Sequence, residues 1–224
     1  MGGRIMSADL SDVNLLVIIG AGGHAGVVID TVNARDCLRI HGLVDQDQKL
    51  WRSRRYGCDV LGGDDLLAGI FAAGVHGAFL GIGMVRPSSL RRTCAEKAAR
   101  LGFRFPSLTH PTAWISPSAT LGEGAFVGPM AVVNSGAVLG SHAIVNSGAI
   151  VEHDCRVGDF SHVASGACLA GGVSVGTETL IGARAVVREG LSIGSRALIG
   201  AGAVVVRPVP DDVQARGVPA RFSS

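Results

Sequence analysis

The sequence predicts a small parallel α/β sheet followed by a parallel β-helix, and three observations predict it. From Ile115 an aliphatic residue recurs every sixth position, through Leu121, Val127, Val133 and Leu139 to Val205; all sixteen positions are Ile, Leu or Val. Before that stretch, short apolar runs alternate with segments that read as helices. Between the first run and its helix lies the turn Gly20-Ala21-Gly22-Gly23-His24-Ala25-Gly26.

The six-residue period is decisive. The chain is 47% apolar, and at that density sixteen hits in one register arise by chance on the order of one time in ten thousand or less. Helices repeat every 3.6 residues and flat strands every two, so neither gives a strict six. A β-helix does, with a short strand and a turn in each unit. Four residues after these aliphatic positions the side chain is usually small, as in Ala119, Ala125, Ala131, Cys155 and Ser161. Three faces close one coil, so the repeat builds about five coils on one axis. Turns this tight call for positive φ or little bulk, which accounts for many of the 33 glycines.

Composition narrows the function classes. The 224 residues carry a net charge of +2, 17% charged and 4% aromatic residues. That gives neither the basic field nor the stacking platform of a nucleic-acid binder. Five cysteines without C-x-x-C spacing fit free thiols in a reducing, cytoplasmic setting. The run Leu15 to Ile19 is too short to span a membrane, so no membrane partner is expected.

In order, residues 1–13 read as a loose tail, 14–108 as the α/β unit and 109–224 as the coil with a C-terminal tail. Leu15 to Ile19 is a buried strand, and a helix carries Val27, Val28, Ile29 and Val32. A strand from Ile40 to Val44 ends at Asp45, and a helix runs from Asp64 to about Ala73, capped by Asp64 or Asp65. Ala78 to Ile82 forms a third strand, and Pro87 to Leu101 a further helix. The tail beyond Pro208 leaves the register and must pack on the coil or on a neighbour.

Gly20-x-Gly22-x-x-Ala25, with Asp45 closing the next strand, has the form of a dinucleotide fingerprint: bare backbone approaches a phosphate at the positive end of a helix. A tight structural turn, NAD(P) and another phosphate-bearing nucleotide all remain open on this motif, and His24 points away from NAD. In the coil, His142, His153 and His162 occur, and a solvated surface position is the plain reading of each. His153 and His162 stand out because they flank the middle coils, where a site between subunits would fall, and Asp154 follows His153: a carboxylate can fix the tautomer of an imidazole acting as general base. A metal between three histidines is the alternative, as in gamma-class carbonic anhydrases, but the rest of that family's site is missing and no metal is expected.

Gly20-Ala-Gly-Gly-His24, Val44-Asp45, Gly62-Gly63-Asp64, Glu152-His153-Asp154-Cys155, Ser161-His162, Leu169-Ala-Gly-Gly172 and Gly217-Val-Pro-Ala220 together resemble the sialic-acid O-acetyltransferase and nucleotide-aminosugar N-acetyltransferase group. The latter includes bacillosamine and perosamine N-acetyltransferases. The resemblance covers nearly the whole chain after residue 13 and implies a left-handed β-helix assembled as a homotrimer. It implies a sugar nucleotide held by Gly22, Gly23, His24, Asp45, Gly62, Gly81, Ile82 and Gly83. His153 would be the catalytic base with Asp154 beside it, and His162, Gly171, Ala183 and Ala201 would contact acetyl-CoA between subunits. The implied reaction is acetyl transfer to the amine of a nucleotide-linked 4-amino-sugar for surface polysaccharide biosynthesis. The rival readings are O-acetylation of a sugar hydroxyl, an NAD-binding protein and a scaffold. One departure is visible: Gly81-Ile82-Gly83 is followed by Met84-Val85 where relatives carry Asp-Asn or Asn-Asn.

Overall fold

The computed structural model describes residues 14–35 and 37–223; the expected N-terminal tail lies outside them. Five strands form the first sheet: β1 (Leu15–Ile19), β2 (Arg39–Val44), β3 (Arg54–Arg55), β4 (Cys58–Gly62) and β5 (Gly77–Leu80), in the order β3-β4-β2-β1-β5. All neighbours are parallel except the β3–β4 hairpin. The helices are α1 (Gly23–Asn33), α2 (Leu67–Ala72) and α3 (Leu90–Arg100). β1 is buried from Leu16 to Ile19, as its unbroken apolar run requires.

Three local expectations change. The hairpin of β3 and β4 had no period-two signal, because its residues are mostly charged or half-exposed. The helix after Gly63 opens with a 3₁₀ turn, Asp64–Leu66, and neither Asp64 nor Asp65 caps it through its side chain. α3 begins at Leu90, three residues past Pro87.

From Leu108–Thr109 to Val204–Val205 the chain is a left-handed β-helix of two-residue strands whose i to i+18 partners are parallel. The inward aliphatic residues and the small residues four places on make one continuous core. Where the small residue is polar it is satisfied from the next coil: Ser161 Oγ donates to the Gly176 carbonyl and Thr179 Oγ1 to that of Gly194, both at 2.6 Å.

From Gly124 to Gly202 each corner turns on a left-handed residue. The third residue after each inward aliphatic, from Gly124 through Met130, Gly136, His142 and Gly148 to Gly202, has φ between 54° and 70°. Non-glycine residues tolerate that conformation at roughly 1–2 kcal/mol apiece, and Met130, His142, Asp154, Phe160, Glu178, Arg184 and Arg196 all adopt it. At the far end Gln214–Arg216 extends one face in parallel and pairs back with Arg221–Ser223, so the tail packs on its own coil and Val209, Ala215 and Ala220 close the core.

The outward residues separate the three faces. On the first, Leu108, Phe126 and Ile144 share a core with β1 and α1. The second presents Trp114, Val132, Ile150, Cys168, Val186 and Val204, all half-buried or exposed, and the third Thr120, Val138, Arg156, Ser174 and Ser192. Docking is secured at the corner between third and first faces. There the buried Arg91 of α3 donates to the carbonyls of Phe160 and His142, and Arg92 bonds Glu178 Oε1 at 2.8 Å. Among the described residues no helix is long and apolar enough to cross a membrane.

Candidate active site

β1 and β5 lie side by side while the chain's other strands run off beyond β2, so the order reverses between β1 and β5. Ligand crevices form at the carboxyl ends of strands at such a reversal. A cleft of about 250 Å³ opens there, lined by the turn residues Gly22, Gly23 and His24, by Asp45, Gln46 and Asp64, and by Gly81, Ile82 and Gly83.

The glycines of the turn fall into two kinds. A Cβ at Gly20 would lie 2.6 Å from Ile82, and one at Gly81 2.6 Å from the Gly20 carbonyl; these two permit the turn to pack. At Gly22 and Gly23 nothing lies within 4 Å. Packing does not demand glycine at those two, and a side chain there would project from the N-terminus of α1, whose first turn holds no acidic residue and no side-chain cap. Its open N–H groups attract an anion.

Asp45 is engaged by the fold. Its Oδ2 accepts the Ala21 N–H at 2.7 Å and its Oδ1 that of Asp47 at 2.8 Å. Gly62 lines no part of the cleft, but its carbonyl accepts the Asp45 N–H at 2.9 Å and so holds the end of β2.

A second opening lies where the α/β unit meets the first face, lined by His24, Val27, Met84, Val85, Asn146 and His162. His24 packs edge-on against Phe126, ring centres 5.1 Å apart, and stands 6.4 Å from the His162 ring. His142 and His162, which read as solvated positions on an isolated coil, are buried by the docked unit. Burial first, then the nearby Arg91 charge, lowers the pKa of both to about 4; His24 falls to about 3 through burial, His162 and Arg91. All three imidazoles are neutral at pH 7. Burial brings Arg91 down to about 10, which leaves it charged. His162 Nε2 faces Asn146 Nδ2 at 3.3 Å, while His24 Nε2 is buried with no hydrogen-bond partner among the described residues.

His153 lies elsewhere, at the corner between second and third faces, with its side chain 63% exposed. Asp154 is the left-handed residue of that corner, φ 60°, and this conformation swings its carboxylate back to His153 Nδ1 at 2.9 Å. Gly171 is the matching residue one coil on. A Cβ there would stand 2.5 Å from His153 Nε2, so the imidazole lies directly over bare backbone. Ala183 and Ala201 occupy the equivalent place at the corner between first and second faces and are exposed. The N–H groups of Gly171, Ala183 and Ala201 donate to no group among the described residues.

Sequence reasoning missed Arg91, Gln46, Asp64 and Asn146. Only Asp64 carries a signal, as a candidate helix cap and as the end of the Gly62-Gly63-Asp64 motif. Among the described residues no three His, Cys, Asp or Glu side chains converge as a metal site.

An α/β unit with an open phosphate-type turn, docked on a left-handed β-helix that carries a histidine–aspartate corner, defines a hexapeptide-repeat acyltransferase with a nucleotide-type accessory unit. Comparison narrows the class. Residues 15–98 match the PglD N-terminal domain family. A histidine-to-alanine mutant of GDP-perosamine N-acetyltransferase from Caulobacter crescentus, solved with CoA and GDP-perosamine, is 40% identical over 93% of this chain and 96% of its own, with a TM-score of 0.88. The acetyltransferase domain of PglB from Neisseria gonorrhoeae is 37% identical over 94% and 100%, TM-score 0.86, and has also been solved with acetyl coenzyme A. WeeI from Acinetobacter baumannii is 25% identical over 93% and 99%, TM-score 0.80. The chain belongs to the nucleotide-aminosugar N-acetyltransferase family.

Proposed function

We propose that this protein transfers the acetyl group of acetyl-CoA to the amine of a nucleotide-linked 4-amino-sugar, with His153 as general base. The carrying observation is the His153–Asp154 contact at 2.9 Å, which places a proton on Nδ1 and leaves the Nε2 lone pair free over Gly171. Nε2 takes a proton from the amine as its nitrogen attacks the thioester carbonyl. The thioester is already activated, so no acyl-enzyme is needed, and CoA leaves as the thiol. The oxyanion that develops requires an N–H donor of the kind the coil corners leave unpaired. The α1 turn holds the diphosphate of the acceptor, and the tied carboxylate of Asp45 keeps that turn in shape. His162, Gly171, Ala183 and Ala201 contact acetyl-CoA.

The arrangement calls for a trimer. His153 and the exposed corner of Ala183 and Ala201 lie at opposite edges of the second face, and the crevice opens beyond the first. One copy therefore spreads the machinery around its coil, and a neighbour packed along the apolar second face brings one copy's His153 to another's crevice. Closed threefold assembly satisfies every such face at once. A cytoplasmic setting follows from the free thiols and the CoA co-substrate.

The test is CoA-thiol release with acetyl-CoA and GDP-, UDP- or dTDP-linked 4-amino-sugars. We expect turnover with at least one, and His153→Ala to lower kcat by roughly 10²–10⁴-fold with fold and assembly intact. Asp154→Asn should do less, because the base remains. Absence of thiol release with every acceptor would reject the reading.

A further inference from the structure

Resting on that reading of the crevice, we propose that Gln46 and Asp64 read the nucleobase of the acceptor and that the base they select is guanine. The sheet order supplies the placement. The diphosphate turn follows β1, Asp45 and Gln46 follow β2, and Asp64 follows β4, the next strand outward. With strands about 4.8 Å apart, Asp64 lies two strands, or roughly 10 Å, from the turn. A nucleotide whose phosphates sit on α1 can reach Gln46 and Asp64 with its base along the same cleft.

The polar groups there are specific. Asp64 is buried, its side chain only 7% exposed, yet it lines the cleft. Its Oδ2 accepts Gln46 Nε2 at 3.2 Å and stands 3.6 Å from Lys97 Nζ. Its Oδ1 has no protein partner among the described residues. Contact with a carboxylate fixes the Gln46 amide, whose nitrogen must face Asp64. The second Nε2 proton, the spare lone pair of Oδ2 and the free Oδ1 then present donor, acceptor, acceptor in sequence.

Guanine carries the complement on its Watson–Crick edge: O6 accepts, N1–H donates and the N2 amino group donates. Uracil and thymine offer acceptor, donor, acceptor, so their O2 would oppose Oδ1. In either orientation cytosine sets its N3, and adenine its N1, against a carboxylate oxygen. Only guanine leaves no buried polar group facing its like, and such mismatches are what make hydrogen-bonding sites selective. Asp45 serves the turn instead, its two oxygens accepting the backbone N–H groups of Ala21 and Asp47.

The proposal predicts an exchange of preference. In Asp64→Asn, with the amide oxygen toward Gln46, the row becomes donor, acceptor, donor, which complements uracil and thymine. Calorimetric titration of the purified protein with GDP, UDP and dTDP should show GDP binding at least about tenfold tighter than either pyrimidine nucleotide. Asp64→Asn should weaken GDP by a similar factor and reverse the order. Equal affinities in the wild type would overturn the proposal and assign Asp64 to the ribose, which all three share. Binding of UDP or dTDP in preference to GDP would overturn it too, as would a folded Asp64→Asn protein with unchanged preference. Should that variant not fold, the wild-type ratio decides. The titration separates this from the reaction: thiol release with UDP- and GDP-linked acceptors alike leaves acetyl transfer standing and removes base selection, while a GDP preference without thiol release does the reverse.

Discussion

Gly171→Ala isolates the position of His153 from its chemistry. The added methyl carbon would stand 2.5 Å from Nε2 and 2.6 Å from Cε1 of His153. Ordinary carbon contacts begin near 3.5 Å, so the ring must move by about 1 Å. It can: the side chain is 63% exposed and its one hydrogen-bond partner is the carboxylate of Asp154. Gly171 is not among the positive-φ glycines, so alanine adds no backbone strain, and the coil core is untouched. A displacement of about 1 Å at a reacting group is enough to cost roughly 10²-fold in rate. We therefore expect kcat for acetyl transfer to fall about 10²-fold, with the melting temperature and assembly unchanged. Steady-state kinetics beside thermal denaturation measures both. A variant with wild-type kcat would show that the imidazole need not lie where the structure holds it, and would remove the argument for His153 as base. A rise confined to the KM for acetyl-CoA would make Gly171 a cofactor contact alone.

Gly22→Val has open space around its new side chain, so the fold should hold while the KM for the sugar nucleotide rises at least about tenfold and that for acetyl-CoA barely moves; equal losses would mean the two substrates are not divided between the units. Val186→Glu places a charge on the apolar second face, where Val186 is 41% exposed. Light scattering should report a trimer for the wild type and a smaller species for the variant, and a wild-type monomer at micromolar concentration would refute the assembly. Acid should destabilise the protein before its carboxylates titrate. His142 and His162 have folded pKa values of about 4 against 6.5 ordinarily, so the unfolded chain binds more protons between these limits. Their contribution is complete above pH 6.5 and is lost as pH falls toward 4, at up to about 2–3 kcal/mol per pH unit. Urea midpoints at pH 7.5, 6 and 5 check the slope, and a flat profile would mean these rings take up protons without unfolding.

The coil was legible because its rule is local and repeats: one aliphatic residue in six names both the fold and the inward direction. The turn at Gly20 to Gly26 was legible for the same reason, since α1 and β1 flank it directly. What escaped depends on contacts distant in sequence. The burial of His142 and His162 escapes the sequence because the six-residue period sorts inside from outside and is blind to which outward face is covered. An eighteen-residue count would have shown it, for Phe126, Ile144, Leu180 and Leu198 all fall on the first face with His162. Arg91 had no signal at all. It is an ordinary basic residue near a helix start, and only docking turns it into a buried clamp on two carbonyls. Asp45 stood where a ribose-binding acid belongs in a dinucleotide fold, and its use in bracing Ala21 rests on an approach 24 residues away in sequence.

The regular corners make the coil a graduated thread. An insertion of eighteen residues would add one full turn, lift everything beyond it by about 4.8 Å and return each later side chain to its original face. An insertion of six would rotate the rest of the thread by a third of a turn and carry the His153–Asp154 pair round to the corner that Arg91 grips. Length change in such a chain is therefore quantised. The height of the His153–Asp154 corner above the α/β unit can be reset only in whole turns, and any other step carries the pair to a different corner.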